Sequence, residues 1–213
     1  SHLDVLLSAY SEREAGGRVL LSLAAMIDVT ERKRAQRLQV ALHEISDAAH
    51  SAADLAQTLG RIHAIVGELL PARNFFVALY DEALAKVTFP YFVDEHDPVP
   101  PPRRLGEGGL TEEVLRTGRA LLITPQDMAA RVRSGEQVVG TDSVDWLGVP
   151  LKSGGRAIGV LAVQSYAGTV RYSESDKALL QFVSDQVAAS IERKRAETAL
   201  KESRERLQRA LEA

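Results

Sequence analysis

The sequence contains no cysteine. That excludes disulfides, thiolate metal centres, iron–sulfur clusters and a cysteine nucleophile. Nor does any run approach the roughly 18 consecutive apolar residues that a membrane span needs. The apolar stretch over residues 19–27 is too short and follows no signal-peptide n-region. Aromatic residues make up only 5% of the chain, with a single tryptophan. The formal net charge is −3, so no excess of one sign marks a nucleic-acid or anionic-membrane surface. A soluble cytoplasmic protein with no nucleic-acid or membrane contact is the expectation.

What is present suffices for a packed core. Of 213 residues, 45% are hydrophobic and 26% charged. A unit of about 150 residues buries roughly 68–70% of its unfolded surface without staples.

Residues 4–12 and 19–27 read as two strands around a Gly16-Gly17 turn. A hairpin alone is marginal in water and needs something to pack on. Thr30 reads as the N-cap of a charged helix whose apolar stripe is Leu38, Leu42, Ile45 and Ala49. Ser51-Ala-Ala-Asp54 fits a capping box for a second helix, with Leu55, Leu59, Ile62, Val66 and Leu69 on one face and Pro71 as its stop.

A β-rich block follows. Residues 75–80 and 86–93 read as strands joined by Asp81-Glu82-Ala83. Strict alternation in the second puts Val87, Phe89, Tyr91 and Val93 on one face and Thr88, Pro90 and Phe92 on the other. Four of the eight prolines then cluster at Pro98, Pro100, Pro101 and Pro102, a stiff loop outside any sheet. Residues 110–117 read as a short helix closed by Gly118, residues 120–124 as a strand, and residues 125–142 as irregular with a helical turn around Met128 to Val132. Two further strands, 144–151 and 157–166, flank Lys152-Ser153-Gly154-Gly155-Arg156. Ser173-Glu-Ser-Asp176 is another capping box, and nothing after it breaks a helix. Its apolar stripe runs Leu180, Val183, Val187, Ile191, then resumes out of phase after Glu192-Arg193-Lys194-Arg195 at Ala196, Leu200, Ser203, Leu207 and Ala210. Glu31-Arg-Lys-Arg-Ala35 reappears as Glu192-Arg-Lys-Arg-Ala196, as similar helical connectors between modules would.

Little chemistry is legible. His43-Glu44 and His50 are seven residues apart, about 10 Å along a helix, too far to share a metal. Gly106, Gly108 and Gly109 precede a helix, but no Gly-Lys-Ser/Thr follows, so they are no P-loop. Acidic pairs at Asp81-Glu82, Asp94-Glu95 and Glu112-Glu113 read as solvated charge. No nucleophile–base pair stands out.

The element order over about residues 37–191 resembles a GAF domain. The most specific stretch is Trp146-Leu-Gly-Val-Pro-Leu-Lys-Ser-Gly-Gly-Arg-Ala-Ile-Gly-Val-Leu-Ala-Val-Gln-Ser165, which is similar to the family's penultimate hairpin. Phe182-Val-Ser-Asp-Gln-Val-Ala-Ala-Ser-Ile191 is similar to its closing helix. Gly17-Arg-Val-Leu with Ile27-Asp-Val-Thr-Glu-Arg-Lys-Arg resembles the last hairpin of a PAS domain and its exit helix. The stretch from Leu200 resembles a helix entering another PAS domain.

The resemblance implies an α+β fold, a GAF-like central antiparallel β-sheet with flanking helices and long N- and C-terminal signalling helices. It divides the chain into a truncated PAS hairpin over 1–30, a GAF domain with its leading helix over 31–191 and a helical linker over 192–213. The chain then looks like the middle of a larger bacterial signalling protein of histidine-kinase or cyclic-di-GMP type. Within it the module would be non-catalytic, with a small-molecule ligand and a homodimer formed through the terminal helices. A ligand-free dimerising spacer is the alternative. Without cysteine the family's covalent bilin attachment and its methionine-sulfoxide reductase chemistry are missing. A haem ligand has only His96 to draw on, so the cofactor is left unknown. The family pocket would lie between the sheet face away from the terminal helices and the loops around residues 95–140, with Phe89, Tyr91, Arg131, Trp146 and Gln164 as candidate ligand contacts.

Overall fold

The computed structural model describes residues 3–13, 17, 19–50, 54–106, 109–135 and 143–211. They fall into two compact units, residues 1–43 and 44–213.

In the first unit, β1 (Val5–Arg13) and β2 (Val19–Asp28) pair antiparallel, with Leu6 opposite Ile27 and Tyr10 opposite Leu23. Leu6, Tyr10, Leu21, Leu23 and Ile27 share one face of this hairpin, and all are exposed. Gly16 of the expected turn lies outside the described residues, while Gly17 takes a φ of 83°. The hairpin leads into α1 (Thr30–His50). Thr30 is the first helical residue rather than the expected N-cap, because its hydroxyl is engaged elsewhere: Oγ1 accepts from the Asp4 N–H at 2.9 Å. The Asp28 carboxylate accepts from the Thr30 N–H at 2.9 Å, and these hydrogen bonds with Thr30 hold its pKa below the ordinary carboxylate value. Lys33 pairs with Asp4 at 2.9 Å.

The second unit opens with the end of α1, where Ile45, Ala48 and Ala49 are buried. Then comes α2 (Leu55–Leu69), burying Leu59, Ile62 and Val66. Asp54 is its N-cap but makes no side-chain cap bond; the capping box expected from Ser51 lies outside the described residues. The chain continues through β3 (Asn74–Asp81), β4 (Lys86–Val93), β5 (Arg103–Arg104), α3 (Leu110–Thr117), β6 (Leu121–Ile123), α4 (Pro125–Arg133), β7 (Asp145–Ser153), β8 (Arg156–Ser165) and α5 (Glu174–Leu211). The six strands form one antiparallel sheet ordered β5-β4-β3-β8-β7-β6.

Two elements depart from expectation. The two-residue β5 emerges from the proline-rich loop to pair with β4. Residues 125–133, expected to be irregular, form a full helix, and the reason is local. Thr124 Oγ1 accepts from the Asp127 N–H at 3.3 Å, Asp127 Oδ2 accepts from the Thr124 N–H at 3.0 Å, and Pro125 opens the first turn. Residues 136–142 of the expected irregular segment lie outside the described residues. Pro150 lies in β7 beyond the reach of β6, which pairs only with residues 146–148. On that side its missing N–H costs no ladder bond.

The box Ser173–Asp176 starts α5, with Asp176 Oδ2 accepting from the Ser173 N–H at 2.8 Å. Leu180, Val183, Val187 and Ile191 are all 2% exposed or less, whereas Leu200 and Leu207 are 55% and 62% exposed. The 38-residue helix, about 57 Å long at 1.5 Å per residue, thus changes from packed to solvated at the Glu192–Arg195 block. Among the described residues, no helix is long and apolar enough to cross a membrane.

Candidate functional site

Cross-strand register assigns each side chain of the large sheet to a face. Phe75, Val77, Leu147, Val149, Leu161 and Val163 share one face and are all fully buried; α2 and α5 cover it. Phe76, Ala78, Val160, Ala162, Trp146 and Gly148 share the other. There they pack with Val114 of α3 and Met128 of α4.

The register of β4 shifts between Val77↔Tyr91 and Leu79↔Thr88. This irregularity, around Pro90, breaks the strict alternation expected from the sequence, because one extra residue reverses the parity of everything beyond it. Phe89 and Phe92 consequently lie on the same face. They form an aromatic group with Phe76, with ring centroids 5.6–6.0 Å apart. Tyr91 is carried to the opposite face, edge-on to Phe75 at 5.8 Å. Its hydroxyl lies 2.9 Å from His63 Nδ1, while His63 Nε2 lies 2.6 Å from the Ala72 carbonyl. A carbonyl only accepts, so in the neutral ring Nε2 carries the proton and Nδ1 accepts from the tyrosine O–H. Tyr91 is thus corrected from a pocket residue to a fastening between β4 and α2. Burial raises its pKa.

The other four candidates are on or over the aromatic face, in different states. Trp146 is 3% exposed and lies across Gly148, where a Cβ would come within 2.0 Å of an indole carbon. Phe89 is half-buried. Gln164, the cross-strand partner of Trp146, is already committed. Its amide donates to Asp94 Oδ2 at 2.6 Å and to the Tyr166 hydroxyl at 2.9 Å. Asp94 also accepts from Tyr166 at 3.0 Å and from the backbone N–H groups of His96 and Asp97. Those four donors match the capacity of one carboxylate. Burial and the neighbouring Asp94 push the Tyr166 pKa up, so it stays a donor. Arg131 on α4 is spent on Glu113 of α3, in a forked pair at 2.7 and 3.2 Å. It is a clamp between the two covering helices.

Sequence reasoning missed Asn74, Tyr166 and Arg103, and its reading of Asp94 as solvated charge is corrected by the four donors that Asp94 accepts from. Asn74 is fully engaged, donating to the Gln164 carbonyl at 3.1 Å and accepting from the Glu95 N–H at 2.8 Å. Nothing local in the sequence marks Asn74, Tyr166 or Arg103. His96 stands edge-on to Tyr166, ring centroids 4.3 Å apart. Among the described residues no three His, Asp or Glu side chains are grouped to hold a metal ion.

This chain belongs to the GAF domain family, whose model matches residues 52–192. No curated protein matches it in sequence. Among solved structures it is similar to the GAF domain of a phosphoenolpyruvate-protein phosphotransferase from Coxiella burnetii, at 22% identity and a TM-score of 0.62 over 78% of this chain and 98% of that one. It is also similar to free methionine-R-sulfoxide reductase from Neisseria meningitidis in complex with its substrate, at 20% identity and a TM-score of 0.60 over 78% and 93%. A methyl-accepting chemotaxis protein segment matches at 20% identity and a TM-score of 0.57 over 72% and 96%. GAF domains thus occur in sensor and signalling proteins. The same comparison corrects one expectation. The reading of the module as non-catalytic does not stand, because the reductase performs its reaction on this very fold. The missing cysteines remove thiol chemistry from this chain, not catalysis as such.

Proposed function

We propose that this GAF domain is the sensory and regulatory module of a bacterial signal-transduction protein of histidine-kinase or cyclic-di-GMP type. It takes a small molecule on its aromatic face and relays occupancy through dimeric terminal helices. The observation that supports this is the unequal sealing of the sheet. One face is closed by α2 and α5, while the other leaves Phe89 and Phe92 half-buried at the edge of the cluster that α3 and α4, clamped by Arg131 and Glu113, help to cover. Apolar walls with a few polar groups suit a small organic ligand. Thermal melts against a panel of amino acids, nucleotides and aromatic acids test it. At least one should raise Tm, since a ligand that binds only the folded state stabilises it; a panel that leaves Tm unmoved overturns the ligand.

Leu200 and Leu207, seven residues apart and exposed, support a second reading, a dimerising spacer with no ligand. Ala162 separates the two. It is fully buried between Phe76 and Gly148 on the aromatic face. Ala162→Leu should abolish a ligand-induced shift while sedimentation still reports the same self-association.

A further inference from the structure

Among the described residues, no carboxylate answers the charge of Arg103. It is the cross-strand partner of Val87, and cross-strand partners project to the same side. Val87 belongs to the same core cluster as Phe76, Ala78 and Trp146, so Arg103 rises from the aromatic face. Its guanidinium carbon lies 6.0 Å from the Phe89 ring centroid, at the outer limit of a cation–π contact. Its Nε is buried and has no hydrogen-bond partner. Among the described residues no carboxylate pairs with it. Arg131, by contrast, is neutralised by Glu113 at 2.7 Å. Lys86 and Arg104, the neighbouring cross-strand pair, project to the opposite side of the sheet, with Asp81 across from Lys86.

A buried donor without an acceptor costs the folded state its desolvation penalty. A guanidinium offers five donors in a fixed fork that matches carboxylate and phosphate oxygens. We infer that Arg103 anchors the anionic group of the small molecule bound on this face. The ligand is therefore a carboxylate- or phosphate-bearing molecule whose apolar body lies along Phe89 and Phe92. This rests on the small-molecule reading above and names its chemistry. It also places the recognition at the β5 edge of the sheet rather than at Arg131, paired with Glu113, or Gln164, whose amide nitrogen already donates to Asp94 and Tyr166.

Thermal melts of the whole chain with three probes test the inference: benzoate, phenyl phosphate and, as the neutral counterpart, benzamide. At a hundred-fold excess over Kd, an anion that fits should raise Tm by about 5–10 °C. Benzamide should do far less, and the anion shift should vanish in Arg103→Met and shrink in Arg103→Lys. Whichever anion shifts the more separates a carboxylate from a phosphate ligand. Ligand-free Arg103→Met, which keeps the apolar stem but removes the orphaned donor, should melt about 2–4 °C higher than the parent chain. An anion shift of equal size in Arg103→Met overturns the assignment, as does a ligand-free variant that melts lower. A shift from benzamide but from neither anion overturns the anionic ligand while leaving a small-molecule site standing. If no probe acts, the inference falls, and the small-molecule reading falls with it only when the wider panel is silent too.

Discussion

The two faces of the large sheet are built from the same six strands and hold different things. Against α2 and α5 the sheet presents aliphatic side chains such as Val77, Leu147, Leu161 and Val163, each with no exposed surface. On the face that α3 and α4 help to cover it presents Phe76, Phe89, Phe92 and Trp146, only some of them sealed, with Arg103 paired to no carboxylate among the described residues. Close-packed aliphatic surface yields stability at little cost in polar desolvation. Half-buried rings and an orphaned cation are a poor use of a core and a reasonable use of a binding surface. The difference assigns stability to one face and is the ground on which recognition is proposed for the other.

That contrast can be broken by substitution. The largest effect is expected from Leu161→Ala on the sealed face, about 2–5 kcal/mol in chemical denaturation. Phe89→Ala, although it removes a larger side chain, should cost about 1–2 kcal/mol because its site is already partly open. Equal losses would show the faces to be equivalent. Next, Gly148→Ala should cost about 1–3 kcal/mol by driving a methyl into the Trp146 indole. Because Trp146 is the only tryptophan, its emission should move to the red, and an unchanged spectrum would mean that the ring does not rest on Gly148.

The smallest effect concerns Asp145, 1% exposed and paired with Arg171 at 3.0 Å. Burial, opposed by Arg171, raises its pKa above the ordinary 3.8. The folded chain then holds this proton more tightly than the unfolded chain. The contribution of Asp145 to stability therefore grows as pH falls through the raised pKa toward 3.8, and is least near neutrality. Asp145→Asn removes this dependence. Urea melts should show the wild type gaining on the variant between neutral pH and about pH 4; a constant or reversed difference would leave the carboxylate ionised in its buried site throughout.

Much of the architecture was readable one segment at a time. The Ser173–Asp176 box, the Gly118 cap with its φ of 60° and the hairpin across Gly154-Gly155 are signals carried within a few residues. Helix α4 was carried just as locally, by Thr124, Pro125 and Asp127, and the Thr-x-x-Asp spacing was there to be seen. The candidate site divided differently. Trp146, Phe89 and Gln164 were placed on the correct face because strand alternation holds through β7 and β8 and through the first half of β4. Tyr91 was not, and neither was the unpartnered Nε of Arg103 or the occupied states of Arg131 and Gln164.

The sequence by itself determined which segments fold into helices and strands, where most of them start and stop, and that no thiol takes part in whatever this domain does. These are properties of hydrophobic period, capping side chains and composition. The tertiary structure alone decided which side of the sheet each β4 residue faces and which charges are spent. A shift in the pairing of β4 with β3 is a relation between two strands, and reverses the parity that alternation assumes. Whether an arginine is neutralised depends on carboxylates brought near it through folding, as Glu113 is brought to Arg131 and none among the described residues is brought to Arg103.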